Sequence, residues 1–168
     1  MITLVLGGVK SGKSTYAEKL VSQSNNVTYI ATNVFFDDEM RVKIDKHKER
    51  RPSNWKTIEE GYDLTKIFIA ADKNVCFLLD CLTVYISNLL LKFKDRNLII
   101  NHINDLLLTI KNSDFDIIIV SNEVGMSVIN ENKLAREFCE LAGIANQIVA
   151  AAADNVYFCI AGYPQKIK

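Results

Sequence analysis

Short apolar runs alternate with amphipathic stretches along the whole 168-residue chain. The runs at 3–6, 27–31, 75–79, 117–120 and 156–160 are nearly continuous in apolar residues, as strands covered on both faces require. Between them, the spacing of apolar positions predicts helices over 14–22, 37–48, 62–70, 82–93, 98–111 and 131–152. Strands alternating with helices need crossover connections, which gives a mostly parallel central sheet in a three-layer α/β sandwich. No repeat or linker interrupts the pattern, and Pro52 and Pro164 fall at expected loop positions, so residues 1–168 read as a single domain.

The first run, Ile2-Thr3-Leu4-Val5-Leu6, leads directly into Gly7-Gly8-Val9-Lys10-Ser11-Gly12-Lys13-Ser14 and then into a helical pattern. This is G-x-x-x-x-G-K-[ST] between a strand and a helix, the setting a phosphate-binding loop requires. Glycines let the backbone turn so that its N–H groups converge on phosphate oxygens. Lys13 supplies a point charge for the β- and γ-phosphates, and the Ser14 hydroxyl can ligate Mg2+. The positive end of the following helix faces the same anion. The chain is therefore expected to bind a nucleoside triphosphate. A loop that follows a strand puts the ligand at the carboxyl ends of the strands, where Thr32-Asn33, Asp80, Ser121-Asn122-Glu123 and Gly162-Tyr163 stand.

Composition narrows the partners. Twenty basic and twenty acidic residues balance, so no general attraction to nucleic acid or an anionic membrane is expected. Cys76, Cys81, Cys139 and Cys159 show no C-x-x-C spacing and read as free thiols in a reducing cytosol. Two histidines argue against a zinc site. No run reaches membrane-spanning length, and the first apolar stretch is too short for a signal peptide, so a cytoplasmic location is expected.

Three further stretches carry candidate chemistry. Asp80 ends the run Val75-Cys76-Phe77-Leu78-Leu79, which is where a Walker B carboxylate holds Mg2+ or accepts a proton; an N-cap for the helix beginning near Leu82 is the other reading. His47 closes a predicted helical stripe with Met40 and Ile44, and Lys48-Glu49-Arg50-Arg51 follows at once. A histidine there is either a cap or surface group, or an imidazole that attacks phosphorus among triphosphate-binding arginines; the residues alone leave both open. Asn122 and Glu123 could orient substrate or metal, or belong to a polar loop leading to a helix capped near Asn130. His102 has the setting of a surface helix. The helix over 131–152, alanine-rich and apolar on one side, fits core or subunit packing.

Taken together the chain resembles the bifunctional adenosylcobinamide kinase / adenosylcobinamide-phosphate guanylyltransferase family of cobalamin biosynthesis. The likeness rests on Gly-Gly-Val-Lys-Ser-Gly-Lys-Ser at 7–14, Tyr-Ile-Ala-Thr at 29–32, Asp-Asp-Glu-Met at 37–40 and His-Lys-x-x-Arg-Pro-x-x-Trp at 47–55. It continues through Asp-Cys-Leu-Thr at 80–83, Ser-Asn-Leu-Leu at 87–90, Asn-Glu-Val-Gly at 122–125, Glu-Asn-x-Leu-Ala-Arg at 131–136 and Asn-Gln at 146–147. The resemblance implies a RecA-like P-loop NTPase fold, typically trimeric. It also implies phosphorylation of adenosylcobinamide by ATP or GTP, then GMP transfer from GTP through a guanylylated histidine, which His47 matches. GTP contacts would fall at Gly7, Gly8, Val9, Lys10, Ser11, Gly12, Lys13, Ser14, Ala31, Thr32, Asn33, Lys48, Glu49, Arg50, Arg51, Glu59 and Asp80. The runner-up is a generic small-molecule kinase with a structural His47. A GTPase switch fits less well, since no Asn-Lys-x-Asp sequence occurs.

Overall fold

The computed structural model describes residues 1–33, 52–126 and 131–168. Seven strands form one sheet: β1 (Ile2–Gly7), β2 (Val27–Ala31), β3 (Lys56–Glu59), β4 (Cys76–Asp80), β5 (Asp116–Asn122), β6 (Asn155–Ile160) and β7 (Tyr163–Lys166). The described helices are α1 (Lys13–Val21), α2 (Leu64–Ile69), α3 (Leu82–Phe93), α4 (Arg96–Lys111) and α5 (Lys133–Ala152). The sheet order is β3-β2-β4-β5-β1-β6-β7, and every neighbouring pair is parallel except β6 with β7.

Alternation along the strands divides the core in two. Ile2, Leu4 and Leu6 of β1 face a large cluster with α2, α3, α4 and α5, whereas Val5 faces a smaller one with Ala17 and Val21 of α1. Phe68, Phe77 and Phe115 meet in the large cluster with centroids 4.8–5.4 Å apart, a spacing that favours tilted and edge-on rings. Helices thus cover both faces of the sheet, as the three-layer expectation requires.

All five expected strands form, and two more join them at the edges. In β3 only Ile58 is half-buried among exposed Lys56, Thr57 and Glu59, so no apolar run marks it. Charged residues suit an edge, where they discourage pairing with another chain. In β7 every residue is exposed. Pro164 therefore sits in an edge strand opposite Cys159 and not in a loop, a correction consistent with proline's confinement to edges. Ala161 (φ 51°) and Gly162 (φ 88°) form the two-residue turn between β6 and β7, the left-handed geometry that tight hairpins prefer.

Helix starts shifted for local reasons. The Asp95 carboxylate accepts hydrogen bonds from the Asn97 and Leu98 N–H groups, so α4 begins two residues earlier than expected. Asn132 accepts from Ala135 N–H and caps α5, in place of the cap expected near Asn130. The helix expected over 37–48 lies outside the described residues.

Candidate active site

Parallel pairing brings the carboxyl ends of the strands to one rim of the sheet. Gly7 is in register with Asn122 and Cys159, and Ala31 with Asp80 and Glu59. The rim thus collects residues that lie far apart in the chain.

The phosphate loop leaves β1 at Gly7 and enters α1 at Lys13. Its path admits no side chain at two points. A Cβ on Gly7 would lie 2.7 Å from the Cys159 carbonyl oxygen. One on Gly12, whose φ is +92°, would lie 2.9 Å from Gly162 Cα. The loop is tied down by backbone bonds from Glu123 N–H to Gly7 O (3.0 Å) and from Gly162 N–H to Ser11 O (2.9 Å). Gly12 caps α1 without a side-chain acceptor, and the first turn carries no acidic residue, which leaves the helix's positive end for an anion.

Within the loop the Ser11 hydroxyl is buried with no hydrogen-bond partner. Such a group costs about 1–3 kcal/mol unless something reaches it, and a phosphate oxygen would supply the missing acceptor. The Lys13 ammonium folds back to donate to Gly8 O at 3.0 Å. Burial lowers the Lys13 pKa, against the opposing pull of Cys81, Asp80 and Cys159. Val9 and Lys10 are exposed, and Ser14 is half-buried in the first turn of α1.

At the end of β4, the Tyr29 hydroxyl donates to Asp80 Oδ2 at 2.5 Å. Cys81, not Asp80, occupies the cap position of α3, and no side chain caps it. The Asp80 carboxylate is therefore not engaged in capping and stays half-buried at the rim. The Asp80–Cys81 peptide is cis, and Thr32 brackets both residues. Thr32 N–H donates to Asp80 O (3.2 Å), while its hydroxyl donates to Cys81 O and accepts from Cys81 N–H, both at 2.9 Å. Thr32 is fully buried, Ala31 is buried at the end of β2, and Asn33 is half-buried just beyond. Glu59 is exposed at the end of β3.

A second polar cluster holds the end of β5. Asn122 donates to Thr83 Oγ1 from its side-chain amide (2.9 Å) and its backbone (3.3 Å), and Thr83 Oγ1 lies 3.2 Å from Cys81 Sγ. Ser121 Oγ donates to Asn146 Oδ1 (2.6 Å), whose amide donates to Asn122 O (3.1 Å). Glu123 turns back to accept from Gly125 N–H at 2.8 Å. Desolvation pushes the Cys81 thiol up to about 11, so it is neutral at physiological pH.

Loop, Lys13, Ser14 and Asp80 thus share one rim, while His47, Lys48, Glu49, Arg50 and Arg51 lie outside the described residues. His102 stacks on Phe93 at 5.0 Å, away from this chemistry. Sequence reasoning gave no role to Tyr29, Thr83, Asn88 or Asn146. Their signal was a lone polar group in an otherwise apolar strand or helix face. Hard oxygen donors such as Ser14 and Asp80 fit Mg2+, which takes few protein ligands and completes its shell with phosphate oxygens and water. Among the described residues no group of three His, Cys, Asp or Glu side chains offers a softer-metal site.

The chain matches the family model "Cobinamide kinase / cobinamide phosphate guanyltransferase" over residues 3–167. It is 38% identical to the Bifunctional adenosylcobalamin biosynthesis protein CobU of Escherichia coli (strain K12), with 100% of both chains covered. It is also 38% identical to the Bifunctional adenosylcobalamin biosynthesis protein CobP of Pseudomonas aeruginosa, covering 100% of this chain and 98% of that one. Among solved structures it resembles a prototypical ATPase from the type III secretion system of pathogenic bacteria, with TM-score 0.60 at 12% identity, over 94% of this chain and 50% of that one. The last likeness concerns the fold alone, that of P-loop NTPases. On the family match over residues 3–167 and the full-length likeness to these relatives, the chain belongs to the cobinamide kinase / cobinamide phosphate guanyltransferase family.

Proposed function

We propose that this transferase acts twice on one corrinoid as a single catalytic domain over residues 1–168. First, ATP or GTP gives its γ-phosphoryl group to the free hydroxyl of adenosylcobinamide. Second, the neutral His47 imidazole attacks the α-phosphorus of GTP, forming a phosphoramidate as pyrophosphate leaves. The phosphorylated corrinoid then takes the GMP, giving adenosylcobinamide-GDP and restoring His47. Membership of the family supports both transfers, and the observation that carries the nucleotide half is the loop with its unpartnered Ser11 hydroxyl and poised Lys13.

In this reading Gly7, Gly8, Val9, Lys10, Ser11 and Gly12 wrap the phosphates with backbone N–H groups. Lys13 exchanges the Gly8 carbonyl for a β- or γ-oxygen and neutralises charge on the departing group. Lys48, Glu49, Arg50 and Arg51 contribute contacts beside His47, and Ala31, Asn33 and Glu59 line the neighbouring strand ends, whereas Thr32, fully buried with its N–H, hydroxyl and carbonyl all engaged, stands behind them and does not touch the nucleotide. Ser14 and Asp80 would hold Mg2+, which offsets phosphate charge when bound. An unperturbed histidine pKa of about 6.5 leaves the imidazole neutral at cellular pH. Family likeness also supports a homotrimer in the cytoplasm. Among the described residues no helix is long and apolar enough to cross a membrane.

Intact mass after incubation with GTP and Mg2+ tests the second transfer. The expected result is a gain of one GMP that is lost in His47→Asn. A chain that phosphorylates adenosylcobinamide yet never takes up GMP would instead be a kinase with a structural His47. Light scattering on the purified chain checks the trimer.

A further inference from the structure

Asn88 is the one amide among the buried residues of α3, which are otherwise Leu82, Thr83, Tyr85, Ile86, Leu89 and Leu90, and it is only 1% exposed. Its Nδ2 donates to two carbonyls, Thr32 O at 2.7 Å and Gly61 O at 3.1 Å. Two carbonyl partners fix which end of the amide faces them, since an oxygen there would be repelled. Its own Oδ1 is buried with no partner. A leucine would fill such a site without that unpaired oxygen, so packing does not explain an amide here. The amide's two bonds tie together the ends of two segments, one after β2 and one after β3.

Thr32 transmits this anchor. Its carbonyl is held by Asn88, its N–H holds Asp80 O, and its hydroxyl holds both the N–H and the carbonyl of Cys81. Every hydrogen-bonding group of Thr32 therefore links Asn88 to the backbone that carries the Asp80 carboxylate.

We propose that Asn88 and Thr32 are positioning residues that set the direction of the Asp80 carboxylate toward the nucleotide-bound cation, with Thr32 acting through Asp80 and not by touching nucleotide. This rests on the reading of Asp80 as a Mg2+-facing group. Outer-shell partners of this kind typically change metal affinity by about 10–100-fold when removed.

The test is binding, not turnover. Fluorescent GTP is titrated into the intact protein at rising Mg2+, and the Mg2+ concentration at half-maximal effect is read together with affinity for metal-free nucleotide. Asn88→Leu and Thr32→Val should raise the Mg2+ midpoint by about tenfold or more, with metal-free affinity within about twofold of the parent. Thr32→Ser, which restores the hydroxyl, should return the midpoint to within about twofold. If Asn88→Leu does not fold, Asn88→Ser is read in its place, and thermal unfolding confirms that each variant is native. Folded variants with the parent's Mg2+ midpoint overturn the proposal, and so does a uniform loss of affinity with and without Mg2+. Asp80→Asn separates the two layers. If it too keeps the parent's midpoint, the reading of Asp80 fails; if it alone shifts, Asp80 stands and the positioning role falls.

Discussion

The phosphate loop and the end of β4 meet at one rim of the sheet but are held in opposite ways. The loop is shaped by its backbone: two glycines where a Cβ would collide, and two main-chain bonds, from Glu123 and Gly162, that pin it. The end of β4 is shaped by side chains, with Tyr29 on the Asp80 carboxylate, Thr32 around Cys81, and Asn122 with Thr83 beside the thiol. A backbone site can close around any phosphate but cannot aim a single charge. A side-chain network aims one carboxylate at the cost of burying several polar groups. The contrast predicts that the loop fails through geometry and charge, whereas the β4 end fails through lost direction.

Lys13→Ala should break the loop side most severely. Removing a cation placed on developing phosphate charge costs about a hundredfold to a thousandfold in rate, and in the proposed reaction both transfers use the same loop. Stability should move the other way or not at all. Burial lowers the Lys13 pKa, so its charge is a net burden on the ligand-free fold. Parallel assays of phosphorylation and GMP transfer, with a melting curve, check this. A variant that loses one activity and keeps the other would separate the two sites.

Gly12→Ala and Gly8→Ala sharpen the same point. At Gly12 the positive φ and the Gly162 Cα at 2.9 Å act together, and backbone lies on both sides of the contact. A loss of about 2–4 kcal/mol and of nucleotide binding is expected. At Gly8 a Cβ would meet nothing within 4 Å, so stability should change by less than about 0.5 kcal/mol. Denaturant midpoints decide it. Equal losses at both positions would show that the loop is held by something other than close backbone approach.

These differences explain what could be read from the chain before its fold was known. Gly7 to Ser14 is contiguous, and its chemistry depends on residue type at fixed spacing, so the motif and its ligand class were legible. The central strands were legible because burial on both faces gives unbroken apolar runs. β3 and β7 were not, because an exposed edge needs no apolar residues and Lys56–Glu59 has only Ile58 to mark it. Asp80 was found by its place at the end of a strand, but nothing local says that Tyr29 or Thr32 holds it. Tyr29 lies 51 residues before Asp80, and Thr32 lies 49 residues before Cys81. Asn122 was expected to face substrate or metal as one option, whereas its amide is bound to Thr83, a fact that only packing of α3 against β5 creates. A lone asparagine on the buried face of a helix, as at Asn88 and Asn146, is the visible trace of this network.

The smallest effect tests how tightly the β4 end is sealed. Cys81 is buried beside Asp80 and Thr83, and desolvation pushes its thiol up to about 11. Alkylation needs both access and thiolate, and at pH 8 a pKa near 11 leaves only about one thiolate in a thousand. Cys139, half-buried on α5 with its thiol directed to Val124 O, should therefore label first in the native protein, and Cys81 only after unfolding. Mapping by peptide mass checks the order. The sign of the accompanying pH effect is fixed. The folded state holds the Cys81 proton more tightly than the unfolded chain, whose thiol has the ordinary value near 9.0. Stability from this group is complete below about 9 and is lost as pH rises toward about 11, since only the unfolded chain gains from ionising across that span. Rapid native labelling of Cys81 at pH 8 would mean that the network opens readily, and a side-chain clamp that opens readily could not hold the direction of Asp80.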